Sequence, residues 1–116
     1  MSDLVVYGVP FSQPVRAVVW ALLLKEQPFE MKLINPGHSG QGGSRHPDYL
    51  AKNPGGTIPC IEEPDTGFTL GEAHAILTYL AQKHAWVDLY PESLRERGRI
   101  DAYLHYHHRN VRECSM

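Results

Sequence analysis

Three short stretches of this 116-residue chain combine residue types that could hold and activate a small polar ligand. The first is Ser12-Gln13-Pro14-Val15-Arg16, where an apolar run gives way to a helical pattern. A hydroxyl at such a junction lies at the positive end of a helix and can donate a hydrogen bond to a bound anion. Read alone, Ser12 is most simply a helix N-cap whose oxygen accepts from a backbone N–H. A dithiol oxidoreductase would carry Cys-x-x-Cys across this turn. Ser12 and Val15 hold those two positions, which excludes disulfide exchange.

The second stretch is Ile58-Pro59, at the start of a strand-like segment. X-Pro bonds in folded proteins are cis in only about 5% of cases, so trans is the default. A cis bond would turn the Ile58 N–H and C=O away from the sheet, where an extended peptide could pair with them as an added strand. Cys60 has no basic neighbour in sequence and reads as a small buried hydrophobe rather than a nucleophile. The third stretch is Glu72-Ala73, at the opening of another helix. An acidic residue in a first helical turn ordinarily complements the helix dipole. In a binding role, Glu72 would accept from a ligand ammonium while the Ala73 N–H holds a ligand carboxylate, the pair an amino-acid head group needs.

The elements that must position these residues follow from hydrophobic period and turn chemistry. Leu4-Val5-Val6-Tyr7, closed by Gly8, reads as a buried strand. Val15, Val18, Val19, Leu22 and Leu23 recur with helical spacing, Pro14 suits the first turn, and Trp20 and Leu24 widen the stripe, which predicts a helix buried on much of its surface. Lys25-Glu26-Gln27 marks its exit and Pro28 stops it. Phe29, Met31 and Leu33 alternate with charged residues, as in a strand with one face buried. Strand, helix and strand within about 35 residues make a βαβ unit with parallel strands. Residues 35–44, with four glycines and a proline, read as a flexible loop, followed by a helical turn after His46-Pro47. Segments 57–62 and 68–70 form a hairpin around Pro64-Asp65-Thr66-Gly67. Ala73, Ile76, Leu77 and Leu80 face the core from a helix ending near His84. Residues 85–91 form a linker with anchoring aromatics. Beyond it Leu94, Ile100, Tyr103, Leu104, His107 and Val111 make an apolar stripe with no following sequence to cover it. The order describes an α/β sandwich with a mixed sheet: 1–84 as one domain, 85–91 as a linker, and 92–116 as the start of an all-helical domain.

Composition narrows the partners. With 11 Lys+Arg against 13 Asp+Glu the net charge is -2, which disfavours nucleic acid or an anionic membrane held by bulk electrostatics. Arg95, Arg97, Arg99, Arg109 and Arg112 are interleaved with Glu92, Glu96, Asp101 and Glu113 and read as a solvated helix face. Cys60 and Cys114 form no disulfide framework, and the longest apolar run, residues 17–24, is too short to cross a bilayer, so the expectation is a cytoplasmic protein. The histidines at 105, 107 and 108 lack the further ligands of a metal site, so no metal is expected. The glycine-rich loop lacks the Gly-Lys-Ser/Thr ending of a phosphate loop.

Taken together, VYGVPFSQPVRAV, NPGGTIPCIEE and GEAHAILTYLAQKHAWVDLYP resemble the cytosolic glutathione transferases, most closely the theta class. SLRERGRIDAYLHYHH resembles the opening of that family's helical second domain. The resemblance implies a thioredoxin-like fold, with glutathione as co-substrate and a small electrophile as its target. It implies that Ser12 stabilises the glutathione thiolate, that the Ile58 backbone before the family's cis-proline Pro59 pairs with the cysteinyl part, and that Glu72 and Ala73 hold the γ-glutamyl head. Ala73 stands where the family usually has Ser. Thr57 stands where theta relatives often carry a basic residue for the glycyl carboxylate, and their loop histidine aligns nearer Ser44 than His46, so that His46 would serve as its substitute. The resemblance further implies a homodimer for a full-length relative; this chain ends one helix into the second domain, either as a fragment or truncated form or because that domain has been lost. The alternative is a non-catalytic binding or assembly module of the elongation-factor-gamma type.

Overall fold

The computed structural model of the protein describes residues 3–107. The elements run β1 (Val5–Gly8), α1 (Gln13–Leu24), β2 (Glu30–Leu33), α2 (Pro47–Leu50), β3 (Cys60–Glu63), β4 (Phe68–Gly71), α3 (Ala73–Lys83) and α4 (Leu94–Tyr106). The four strands form one mixed sheet in the order β2-β1-β3-β4. β1 and β2 are parallel, as a βαβ unit requires, while β3 is antiparallel to both β1 and β4. This is the expected thioredoxin-like sandwich. Val111 and Cys114, together with His108 of the histidine group, lie outside the described residues.

Register assigns the two faces of the sheet. Val6 pairs with Ile61, and both are fully buried. Gly8 shares the face of Val6, and a Cβ built on it would stand 2.6 Å from a Val15 methyl carbon. α1 therefore packs on this face, and the close approach is possible because residue 8 has no side chain. Val15, Val18 and Leu22 are completely buried, each contributing about 1.5–3 kcal/mol of hydrophobic stabilisation. The opposite face gathers Val5, Tyr7 and Cys60 with Ile34 and with Tyr49 from α2.

Several sequence expectations need correction. α1 is not buried on much of its surface: Trp20, Leu23 and Leu24 are exposed, because one face of the helix meets the sheet and no described element covers the other. β2 does not bury an alternating face, since it is an edge strand and Leu33 is 68% exposed. β3 begins at Cys60 rather than at residue 57, as Pro59 has no N–H to give a ladder. α1 ends in a hydrogen-bonded motif before Pro28 is reached: Gln27 N–H donates to Leu22 O and Glu26 N–H to Leu23 O, with Glu26 left-handed at φ 53°. The loop 35–44 is held by its own hydrogen bonds, among them Asn35 N–H to Gly42 O, Ser44 N–H to Asn35 O and Gly37 N–H to the buried Ser44 Oγ.

The chain divides into two compact units, Met1–Leu77 and Thr78–Met116, with the division inside α3. In the second unit the aromatics of the 85–91 segment are anchored as expected: Trp86 and Tyr90 are buried. The Tyr90 hydroxyl donates to the Asp101 carboxylate at 2.9 Å, and the Arg97 guanidinium lies over the Tyr90 ring while donating to Pro91 O. α4 is capped by Ser93, whose Oγ accepts from Glu96 N–H, and it buries no residue fully among those described. No helix among the described residues is long and apolar enough to cross a membrane.

Candidate functional site

The sheet brings the three candidate stretches to one end. Tyr7 pairs with Cys60, and Cys60 pairs with Gly71, so these residues form one row across β1, β3 and β4. One residue beyond that row stand Gly8, Pro59 and Glu72. From Gly8 the chain turns into α1 through a bend closed by Ser12 N–H to Val9 O at 3.2 Å. Ser12, Ile58-Pro59 and Glu72-Ala73 are thus gathered at one end of the first unit.

Ser12 occupies the N-cap position of α1, with extended backbone (φ -78°, ψ 127°) and its carbonyl accepting from Arg16 N–H at 2.9 Å. Its hydroxyl makes no capping hydrogen bond, contrary to the simplest reading of the sequence. The group is half-buried at the positive end of a twelve-residue helix, where negative charge is favoured. Tyr7, the neighbouring phenol in sequence, is committed elsewhere. Its hydroxyl donates to Glu62 Oε1 at 2.6 Å, and burial followed by this carboxylate pushes its pKa up.

Ile58-Pro59 is a cis peptide bond. Ile58 precedes the first residue of β3, and among the described residues no backbone hydrogen bond engages its N–H or C=O. The preceding residue is fixed firmly. Thr57 O accepts from the Tyr49 hydroxyl at 2.6 Å and from Asn53 Nδ2 at 2.8 Å. Thr57 itself is exposed, and its Oγ1 lies 3.4 Å from Asn53 Nδ2. Cys60 is completely buried, and burial pushes its thiol up to about 11, so it stays protonated and unreactive at neutral pH.

Glu72 is exposed, immediately before the first residue of α3, and its carbonyl accepts from Ile76 N–H at 2.9 Å. Its backbone is left-handed, with φ 69°, a region that side chains other than Gly and Asn rarely occupy. Ala73 is half-buried as the first helical residue, where its N–H belongs to the group that has no intrahelical acceptor. His46 caps α2, its Nδ1 accepting from Asp48 N–H at 3.1 Å, so Nε2 is the ring nitrogen left to donate. No group of three His, Cys, Asp or Glu side chains suited to a metal is found among the described residues.

Two positions escaped the sequence reading. Asn53 appears in the sequence only as part of the NPGGTIPCIEE segment, yet its side chain is buried and holds Thr57. Tyr49 belongs to the helical turn expected after His46-Pro47, and its hydroxyl joins Asn53 on the same carbonyl. The available signal was an Asn and a Tyr at short, fixed distances before Ile-Pro, but periodicity treats both as loop or core.

The model of the glutathione S-transferase N-terminal domain matches residues 6–93. Glutathione S-transferase theta-1 of Homo sapiens is 34% identical over 90% of this chain and 42% of its own length. Glutathione S-transferase T2 of Arabidopsis thaliana is 38% identical over 92% of this chain and 18% of its own length. Among solved structures, the theta class enzyme of Xanthomonas axonopodis pv. citri with glutathione bound superposes with TM-score 0.80 at 26% identity, over 95% of this chain and 50% of that one. The epsilon-class enzyme of the housefly Musca domestica superposes with TM-score 0.82 at 34% identity, over 91% of this chain and 47% of that one. The chain spans less than half the length of the curated relatives it matches. These relatives are glutathione transferases, so the assembly-module alternative is not favoured.

Proposed function

The chain belongs to the glutathione S-transferase N-terminal domain family, and from that premise we propose that it binds glutathione across the end of its sheet and activates the thiol at Ser12. The observation that carries this reading is the convergence of Ser12, Ile58 and Glu72-Ala73 beyond the Tyr7-Cys60-Gly71 row. From β1 across β3 to β4 is two strand spacings, about 10 Å, and three extended residues reach about the same length. A tripeptide laid along this end reaches all three groups.

Each group has work suited to one part of glutathione. The Ala73 N–H and the positive end of α3 meet the γ-glutamyl carboxylate, while the Glu72 carboxylate accepts from its ammonium. The Ile58 N–H and C=O pair with the cysteinyl backbone as an added strand. His46 Nε2 and the Thr57 hydroxyl are the groups offered to the glycyl end. The Ser12 hydroxyl then donates to the cysteinyl sulfur. A hydrogen bond to the charged form lowers the thiol pKa, and the dipole of α1 acts in the same direction. The thiol proton passes to water, the sulfur lone pair forms the C–S bond, and the electrophile's leaving group departs with its electron pair.

Residues 1–84 serve in this reading as the glutathione domain, 85–91 as the linker and 92–116 as the start of the helical domain. In this reading the protein works in the cytoplasm without a resident metal, and the homodimer belongs to a full-length relative. Calorimetric titration of glutathione tests the reading directly. The wild-type chain releases or absorbs heat on saturable binding, and Glu72→Ala weakens it about tenfold or more, as expected for a lost hydrogen bond to a charged group. No binding heat from the wild type at any concentration overturns the proposal.

A further inference from the structure

The Asn53 side chain touches both halves of the candidate site. Its Nδ2 donates to Thr57 O at 2.8 Å, directly before Ile58. Only the amide nitrogen can donate to a carbonyl, so the acceptor fixes the amide's orientation. The same side chain lies against Gly71, directly before Glu72: a Cβ built on Gly71 would stand 2.8 Å from Asn53 Oδ1 and 3.1 Å from Cγ. Gly71 has no positive φ to require glycine, so it is the Asn53 amide that a side chain there would have to displace. Asn53 is itself rigidly held. It is 9% exposed, its N–H donates to Tyr49 O at 2.9 Å, and its carbonyl accepts from Gly56 N–H at 2.9 Å.

We propose that Asn53 is a positioning residue that sets the Ile58 backbone and the Glu72-Ala73 helix opening in register with one another. The two segments arrive from opposite strands of the β3-β4 hairpin. Glutathione, in the reading given above on which this inference rests, must meet both at once. A displacement of either segment misplaces one end of the ligand relative to the other. The amide does this without touching the ligand: it fastens the Thr57 carbonyl on one side and fills the space over Gly71 on the other.

Three variants test the coupling. Asn53→Ala removes the hydrogen bond and the packing, Gly71→Ala pushes the amide away from Thr57, and the double variant places the new methyl in the space that Asn53 vacates. Glutathione affinity is expected to fall about tenfold in each single variant, and the double variant is expected to bind no worse than Asn53→Ala alone, the signature of two residues acting through one contact. Asn53→Asp adds a readout that a general loss of packing does not give. As an anion it repels the Thr57 carbonyl, whereas its protonated form can donate to it, so its deficit relative to wild type shrinks toward acid pH. Backbone amide resonances of Ile58 and Ala73, recorded without ligand, separate this inference from the binding reading. Both resonances should move together in Asn53→Ala and in Gly71→Ala, while those of β1 stay in place. Failure of the wild type to bind glutathione overturns the binding reading and leaves the amide shifts to decide the coupling. Amide resonances that do not move together, or losses that add in the double variant, overturn the positioning role.

Discussion

The Ser12 hydroxyl makes no capping bond, so its removal should touch the bound thiol more than the fold. Ser12→Ala is expected to bind glutathione nearly as tightly as the wild type, while the pKa of the bound thiol rises by about one to two units. Thiolate absorbance followed against pH measures this, and an unshifted thiol pKa in the variant would remove Ser12 from the chemistry. Glu72 presents the opposite case, a residue held at a cost to the backbone. A left-handed glutamate is disfavoured by about 1–2 kcal/mol, and glycine at that position escapes most of the penalty. Glu72→Gly should therefore resist urea better than the wild type by about 0.5–1 kcal/mol while losing glutathione affinity. A variant that is both weaker in urea and unimpaired in binding would contradict the assignment. Helix-start patterning made Glu72 legible as a dipole partner, but nothing in its neighbours signals the backbone conformation.

Among the elements, α1 shows how far periodicity carries. Val15, Val18 and Leu22 were expected in the core and are completely buried, but Leu23, next to Leu22, is 62% exposed. Leu22→Ala should cost about 2–5 kcal/mol through lost burial and the cavity left behind, whereas Leu23→Ala should change stability by less than about 0.5 kcal/mol. Equal losses in denaturant unfolding would mean that the outer face of α1 is covered after all. Hydrophobic spacing locates a helix and one of its faces, but a second apolar face looks the same whether or not the described chain covers it. The same limit explains Leu33, which alternates correctly and yet lies exposed on an edge strand. Turn chemistry was more informative: Pro64-Asp65-Thr66-Gly67 falls between β3 and β4 as expected. The glycine-rich loop misleads because glycine content reports freedom in the unfolded chain, not whether the backbone finds partners when folded.

α2 is fastened to the sheet by polar as well as apolar contacts. Lys52, just past the helix, donates to Glu62 Oε1 at 3.1 Å, the Tyr7 hydroxyl donates to the same oxygen, and Tyr49 packs edge-on against Tyr7. The Tyr7 hydrogen bond and then Lys52 hold the Glu62 carboxyl below its ordinary 4.5 despite partial burial. A carboxyl depressed in this way stabilises the fold above its unfolded pKa, and that contribution is lost as pH falls through the folded value. The window for Glu62 therefore lies below about 4.5. Glu62→Gln should be about 1 kcal/mol less stable than the wild type at neutral pH, with the difference closing in acid. Urea unfolding at several pH values measures it, and a difference that persists unchanged below the window would assign the loss to packing. Because Tyr49 also holds Thr57 O, loosening α2 in acid should weaken the Ile58 side of the site in the same range.

At the scale of the whole molecule, every candidate group from Ser12 to Ala73 lies within the Met1–Leu77 unit. A ligand bound there should stabilise that unit by mass action, about 2.7 kcal/mol at one hundred times its dissociation constant. For a domain of this size that corresponds to a rise in melting temperature of roughly 10 °C or more. S-methylglutathione, which keeps both carboxylates and the ammonium but has no thiol proton, should raise the melting temperature nearly as far. Cysteinylglycine, which lacks the γ-glutamyl head, should not, because it forgoes Glu72 and Ala73. Hydrogen exchange shows where the stabilisation falls. Amides of β1 and β3, such as Val6 and Ile61, should gain protection with glutathione, and amides of α4, such as Arg99 and Tyr103, should gain little. Equal protection in α4 would mean that the two units open as one cooperative body. An absent shift in melting temperature with glutathione would show that the end of the sheet does not bind it. A shift matched by cysteinylglycine would locate recognition away from the start of α3.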